Sequence, residues 1–195
     1  MRQRLIQATI DILFESSYAA ATTQEVARRA KVSRGAMLHH FPNRIDLLLA
    51  TAEYIVIEQR RYRLEKLASV ENSWKRFVAA ADVSWEVQKQ PATIALLEIM
   101  LASRSDRELR QRVGPLLREM SAMRAASAAR FASALGVPDV KELDDLMLVH
   151  VASLRGLAIS LMFTQDPDEV EQARNLLTHY ERTFAQALIA KKPSK

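Results

Sequence analysis

Apolar residues recur every three or four positions along almost the whole chain. Leu5, Ala8, Thr9, Ile12 and Leu13 share one helical face, with Phe14 extending it, and predict a first helix running to Ser16 or Ser17. Thr22 with Glu25 makes a capping box, opening a short helix from Thr23 to Ala30. After a three-residue turn, Ser33 caps a third helix that Pro42 ends within two turns. Asn43 caps a fourth, with Asp46 in its first turn, and its pattern continues through "LLLATAEYIVIEQRRYRLEKL" for about six turns.

The rest of the chain also reads as helix. Trp74, Phe77, Val78, Ala81 and Trp85 fall on one side of "SWKRFVAAADVSWEVQ", and Pro91 starts "ATIALLEIMLAS". Ser105 with Glu108 forms a second capping box, opening a long segment to Leu135, with Gly114-Pro115 as a candidate break. "GVP" at 136–138 is a stop. Two helices follow, Val140 to Phe163 and Pro167 to Ala190, and the tail "KKPSK" reads as frayed. No stretch reads as a strand or repeat. The pattern gives an all-α protein of about nine helices.

Composition supports this. The chain has 195 residues, 49% of them apolar, and only 4 glycines, so a core is available and helix is favoured over sheet. There is no cysteine, which excludes disulfides and thiolate metal sites. No apolar run approaches the roughly 18 residues of a membrane span. "MRQRLIQATIDILF" carries Asp11 inside its pattern and does not read as a signal peptide, so a cytoplasmic location is expected. The net charge is +5, of which residues 1–50 carry +3. A basic end on a nearly neutral body points to an acidic partner.

Residues 23–41 form one unit of short helix, turn and short helix. Val26, Ala27, Ala30, Val32 and Met37 can make a common apolar seam, with Ala27 small enough for a steep crossing. This is the helix-turn-helix pattern, whose second helix enters the DNA major groove. A groove about 12 Å wide admits only one or two turns, which accounts for the early Pro42. Gly35 costs a helix roughly 1 kcal/mol against Ala, so either close approach to base edges or mere tolerance in a first turn explains it.

The stretch "TTQEVARRAKVSRGAMLHHFPNRIDLL" strongly resembles the DNA-binding domain of the tetracycline-repressor (TetR) family of regulators. The resemblance covers residues 4 to about 50. It implies a helix-turn-helix domain at 1–48 and a helical ligand-binding and dimerisation domain at 49–195, joined inside the fourth helix. It places Thr23 and Gln24 at phosphate or a base, Arg34, Gly35 and Ala36 at base edges, and Ser33 among the DNA-binding residues. Leu38 and His39 follow at positions facing backbone or bases, and His40 and Arg44 at phosphate. Chemistry agrees for Arg34, which can bond a guanine bidentately. It also implies a palindromic double-stranded operator, a homodimer through the last two helices and a small-molecule effector that releases DNA. Three residues depart from the family pattern: Leu38 replaces a tyrosine, Lys31 a turn glycine, and Ser17 a glycine after the first helix.

Other constellations carry less. His39 and His40 point about 100° apart, whereas helical metal pairs use i, i+4 spacing. No nucleotide-binding, hydrolase or metalloprotease motif occurs, so neither catalysis, a cofactor nor a metal is expected. His150 shares a face with Leu146, Met147, Leu154 and Leu157. It reads as a core or interface histidine with a backbone partner, or as a ligand contact in an apolar cavity. Trp85, Met100, Arg104 and Met123 are the other ligand candidates. Arg104 and Arg155 would suit an acidic ligand or a solvated face. The stripes on the last two helices (Leu143 to Leu161, Ala173 to Leu188) fit a dimer interface or a monomer core. A helical ligand-binding protein without DNA function is the alternative.

Overall fold

The computed structural model describes residues 1–191. These hold nine helices and no strand. In chain order they are α1 (Arg2–Glu15), α2 (Thr23–Arg29), α3 (Arg34–His40), α4 (Arg44–Leu67), α5 (Ser73–Gln88), α6 (Pro91–Ala102), α7 (Arg107–Leu135), α8 (Val140–Ser160) and α9 (Pro167–Ala190). Among the described residues, no helix is long and apolar enough to cross a membrane, and no group of His, Asp or Glu could hold a metal ion.

Most ends follow the expected chemistry. Asn43 Oδ1 accepts from the Asp46 N–H at 2.9 Å, while its amide donates to the Asp46 carboxylate at 2.8 Å. Asp139 and Asp166 cap α8 and α9. Gly136, at φ 71°, ends α7, and the Val137 N–H returns to the Ala132 carbonyl at 2.9 Å.

Four ends differ. The cap of α7 is Asp106, whose Oδ1 accepts from the Leu109 N–H at 2.9 Å. The Ser105 hydroxyl instead donates to the Ala102 carbonyl at 3.2 Å. The helix runs unbroken through Gly114-Pro115. Buried Leu109, Val113 and Leu116 sit at helical spacing around the proline and hold both flanking turns, offsetting the ~3 kcal/mol an internal proline costs. Helix α8 stops at Ser160, with residues 161–163 in a turn. Of the tail expected to fray, Lys191 caps α9 and residues 192–195 lie outside the described residues.

The chain divides into two compact units. The first comprises residues 1–61 and 90–118. Here α1 packs on α6 and α2, and α2 packs on α3. Ile6 and Ile10 are buried beside the expected stripe, so α1 is covered on most sides, whereas Phe14 is exposed. Each fully buried Leu or Ile contributes roughly 1.5–3 kcal/mol. Two buried threonines return their hydroxyls to their own helix, Thr9 to Leu5 and Thr51 to Leu47, both at 2.8 Å. Gln59 of α4 donates to Thr93 of α6 at 2.8 Å, so the polar groups of this core are matched.

The second unit comprises residues 62–89 and the chain from Glu119 onward, with α5, α8 and α9 packed together. It has two apolar clusters. Phe77, Leu143, Ala185 and Leu188 belong to one, and Trp85, Leu154, Ala158 and Val170 to the other. His150 and Glu181 fall between them along α8 and α9. Both side chains are buried, with His150 Nε2 3.4 Å from Glu181 Oε2. Neither ring nitrogen has a hydrogen bond, so the backbone partner expected for His150 is not there. Burial dominates both titrations: it lowers His150 to about 4 and raises Glu181 to about 8.

These shifts set opposite slopes. Unfolding frees Glu181 to lose its proton from about 4.5, so it lowers stability as pH rises from 4.5 to 8. His150 titrates at about 6.5 unfolded and 4 folded, so it raises stability as pH rises over that span. The two cancel between 4.5 and 6.5, leaving the Glu181 slope alone above 6.5. Urea unfolding should show a loss of roughly 1–2 kcal/mol between pH 6.5 and 8. Glu181→Gln should flatten that slope.

Candidate nucleic-acid interface

Seven residues make a helix too short to stand alone, so α3 depends on its neighbours. Met37 is its fully buried side chain. It belongs to the predicted seam with Val26, Ala27 and Ala30, all buried, and Phe41 closes that seam just beyond the helix. Ser33 caps α3 by accepting from the Ala36 N–H at 3.1 Å. Phe41 ends the helix in an extended conformation, as the residue before a proline prefers. Arg2 sits 5.4 Å from the centre of the Phe41 ring.

The capping box of α2 closes on one side only. Thr22 accepts from the Glu25 N–H at 3.2 Å. The Thr22 N–H is already bonded to the Ala20 carbonyl at 2.7 Å, and the Glu25 carboxylate pairs with Arg28 at 2.6 Å. In the turn that follows, Lys31 takes φ 53°. A lysine in this left-handed region costs roughly 1–2 kcal/mol, as the missing glycine implies. Arg4 of α1 braces the turn by donating to the carbonyls of Ala30 and Lys31. The sequence reading missed Arg4, because nothing in its spacing marks it.

Around Met37 the rest of α3 faces outward. Ser33, Arg34, Gly35, Leu38, His39 and His40 are exposed, and Ala36 is half-buried. On α2, Gln24 is exposed and Thr23 half-buried. A Cβ added at Gly35 would meet nothing within 4 Å, so the chain's own packing does not require the glycine. The His39 and His40 rings touch edge to face, 5.6 Å apart.

The basic residues of this region divide by what they touch. Arg28 pairs with Glu25, and Arg29 with Glu15. Arg44, assigned to phosphate by resemblance, turns back on the protein. Its Nε donates to the Ala21 carbonyl at 2.9 Å and its Nη2 to the Tyr18 carbonyl, with the guanidinium 4.0 Å from the centre of the Tyr18 ring. Arg34 makes no ion pair among the described residues, so its guanidinium is available at the exposed end of α3.

The five candidate ligand residues do not share one unit. Met100, half-buried, and Arg104, exposed, belong to the first; Trp85 and His150, buried, and Met123, half-buried, belong to the second. Arg155 is half-buried, and burial holds its guanidinium below its ordinary range. The stripes of α8 and α9 also divide. Leu143, His150, Leu154 and Leu188 are inside the unit, while Leu176, Tyr180 and Phe184 are exposed; Leu148 and Val149, off the predicted stripe of α8, are exposed as well. Leu176, Tyr180 and Phe184 recur every four residues on α9, and Leu157 and Leu177 line an apolar groove beside Tyr180.

Lys31→Gly should relieve the left-handed backbone. The relief of roughly 1–2 kcal/mol is offset by the extra chain entropy of glycine, roughly 0.5–1 kcal/mol. A net gain of between zero and about 1.5 kcal/mol in thermal or denaturant unfolding is the expected result.

A family profile described as "Bacterial regulatory proteins, tetR family" matches residues 5–51. The HTH-type transcriptional regulator CymR of Pseudomonas putida is 30% identical over 183 residues, covering 88% of this chain and 84% of that protein. A solved TetR-family transcriptional regulator from Rhodococcus superposes with a TM-score of 0.73 at 20% identity, over 97% of this chain and 98% of the other. A transcriptional regulator from Saccharomonospora viridis, solved in complex with choline, gives 0.70 at 18% identity, over 92% and 94%. The chain belongs to the TetR family of transcriptional regulators, DNA-binding proteins of the helix-turn-helix type, and is not an enzyme.

Proposed function

We propose that this regulator is a repressor that binds a palindromic operator as a dimer and leaves it when a small molecule binds its helical body. The observation that carries the reading is the exposed face of α3. It presents an unpaired Arg34, a side-chain-free Gly35, and Leu38 and His39, on a helix fixed from behind by Met37. In this reading Arg34, Gly35 and Ala36 face base edges. Leu38 gives an apolar contact suited to a thymine methyl. Ser33, His39 and His40, with Thr23 and Gln24 at the start of α2, lie along the backbone. Two such heads would reach successive major grooves about 34 Å apart.

The exposed apolar row on α9, with Leu148 and Val149 on α8, supports a homodimer through the last two helices. The choline complex of a protein of the same fold supports a small-molecule site in the helical body. Ligand control needs only about 1–3 kcal/mol of difference in affinity between the two shapes.

Band-shift titration on duplexes selected from a random pool tests the reading. Arg34→Ala should cost about 1–3 kcal/mol on the selected duplex and much less on random DNA. Equal losses on both would refute a base contact. Gly35→Ala should stabilise the fold by up to about 1 kcal/mol while weakening binding, because among the described residues the added Cβ meets nothing within 4 Å and it points where this reading puts the DNA. In sedimentation, the wild type should run as a dimer at micromolar concentration, and Tyr180→Glu with Phe184→Glu should run as a monomer.

A further inference from the structure

Tyr18 lies in the connection between α1 and α2, outside the helix-turn-helix, yet side chains from distant parts of the chain converge on it. Its N–H donates to Glu98 Oε2 of α6 at 2.9 Å. Its hydroxyl donates to Asp106 Oδ2, at the cap of α7, at 3.1 Å. Its carbonyl and ring take the Arg44 guanidinium. Two residues beyond Arg44, Asp46 accepts from Arg112 of α7 at 2.7 Å. All of these residues belong to the first unit, with the helix-turn-helix itself.

The α2–α3 pair is entered through residues 18–22 and left through residues 41–44. Arg44 ties the exit to the entrance, because its donors reach the carbonyls of Tyr18 and Ala21. Glu98 and Asp106 then fasten the entrance to the α6–α7 corner, and Arg112 fastens the exit to α7. A carboxylate makes a stronger hydrogen-bond acceptor than a neutral oxygen. The Leu109 N–H, foremost, holds the Asp106 carboxyl below its ordinary range, so it stays ionised at neutral pH.

We propose that this corner is a clasp that fixes how α3 is presented to DNA, with Glu98, Asp106 and Arg112 as positioning residues. None of the three lies on α2 or α3. They set the fraction of molecules in which the recognition helix stands ready, and apparent affinity falls in proportion to that fraction. Loosening the clasp removes no phosphate contact, so the dependence of binding on salt is kept. Arg44 acts in the same way, as the pin between entrance and exit.

The test is a salt series of binding titrations on a duplex selected by the wild-type chain from a random pool. Thermal unfolding by circular dichroism is recorded for every variant. Glu98→Ala should bind about tenfold more weakly, as a competent fraction near a tenth would give, with the wild-type slope and helix content. Glu98→Gln keeps an oxygen acceptor for the Tyr18 N–H and should stay within about twofold of wild type. Arg44→Ala should also weaken binding at constant slope, whereas a phosphate ligand would lose about one unit of slope. Wild-type affinity in Glu98→Ala, a reduced slope, or equal losses in Glu98→Ala and Glu98→Gln overturns the clasp. If Glu98→Ala does not fold, Tyr18→Phe decides. It keeps the ring and the N–H, so wild-type affinity there overturns the proposal and a loss of about threefold supports it. Failure of the wild type to select any duplex would count against the repressor reading instead.

Discussion

A helix of seven residues forms fewer internal hydrogen bonds than its ordering costs, so everything α3 presents depends on contacts behind it. Met37 is the buried anchor among them. It is the one fully buried side chain of α3, and it meets the small, buried face of α2. Ala27 must be small for that meeting to happen. The left-handed Lys31 and the bracing Arg4 set the angle at which the two helices meet. The outward face of α3 is thus free to be chosen for a partner, because apart from the Ser33 cap its side chains make no hydrogen bond or ion pair among the described residues.

Much of this was legible in the sequence for a physical reason. Caps and breakers act locally, and Thr22, Ser33, Pro42, Asn43, Pro91 and Gly136 do in the structure what their chemistry predicts. Other points were misread where a second local signal or the packing overrules the first. Ser105 and Asp106 are both good caps, and only the direction of the chain into α7 decides for Asp106. Gly114-Pro115 reads as a break until the buried row of Leu109, Val113 and Leu116 shows what holds the helix together. Phe14 continues the spacing of α1 but lies past the end of its buried stretch.

The candidate interface was legible as an exposed face, with Arg34 on it, because Met37 alone of α3 reads as a buried anchor. It was not legible where an arginine can choose. Arg4 and Arg44 are as basic in sequence as Arg34, yet both spend their donors on carbonyls of their own chain. No spacing rule reveals that choice, because the acceptors lie 23 to 27 residues away. The stripes of α8 and α9 were ambiguous for a related reason. On α9 one periodicity covers both the exposed and the buried positions, and only packing separates Leu188 from Leu176.

Because residues 90–118 complete the first unit, the reading head is discontinuous in sequence. A chimera that grafted residues 1–48 onto another body would carry α1 away from α6, leaving the face of α1 that packs there against whatever the recipient offers. Exchange of DNA specificity within such proteins would therefore travel better as single residues on the outer face of α3 than as a transplanted segment. The fold lets its lettering be rewritten more readily than its page be torn out.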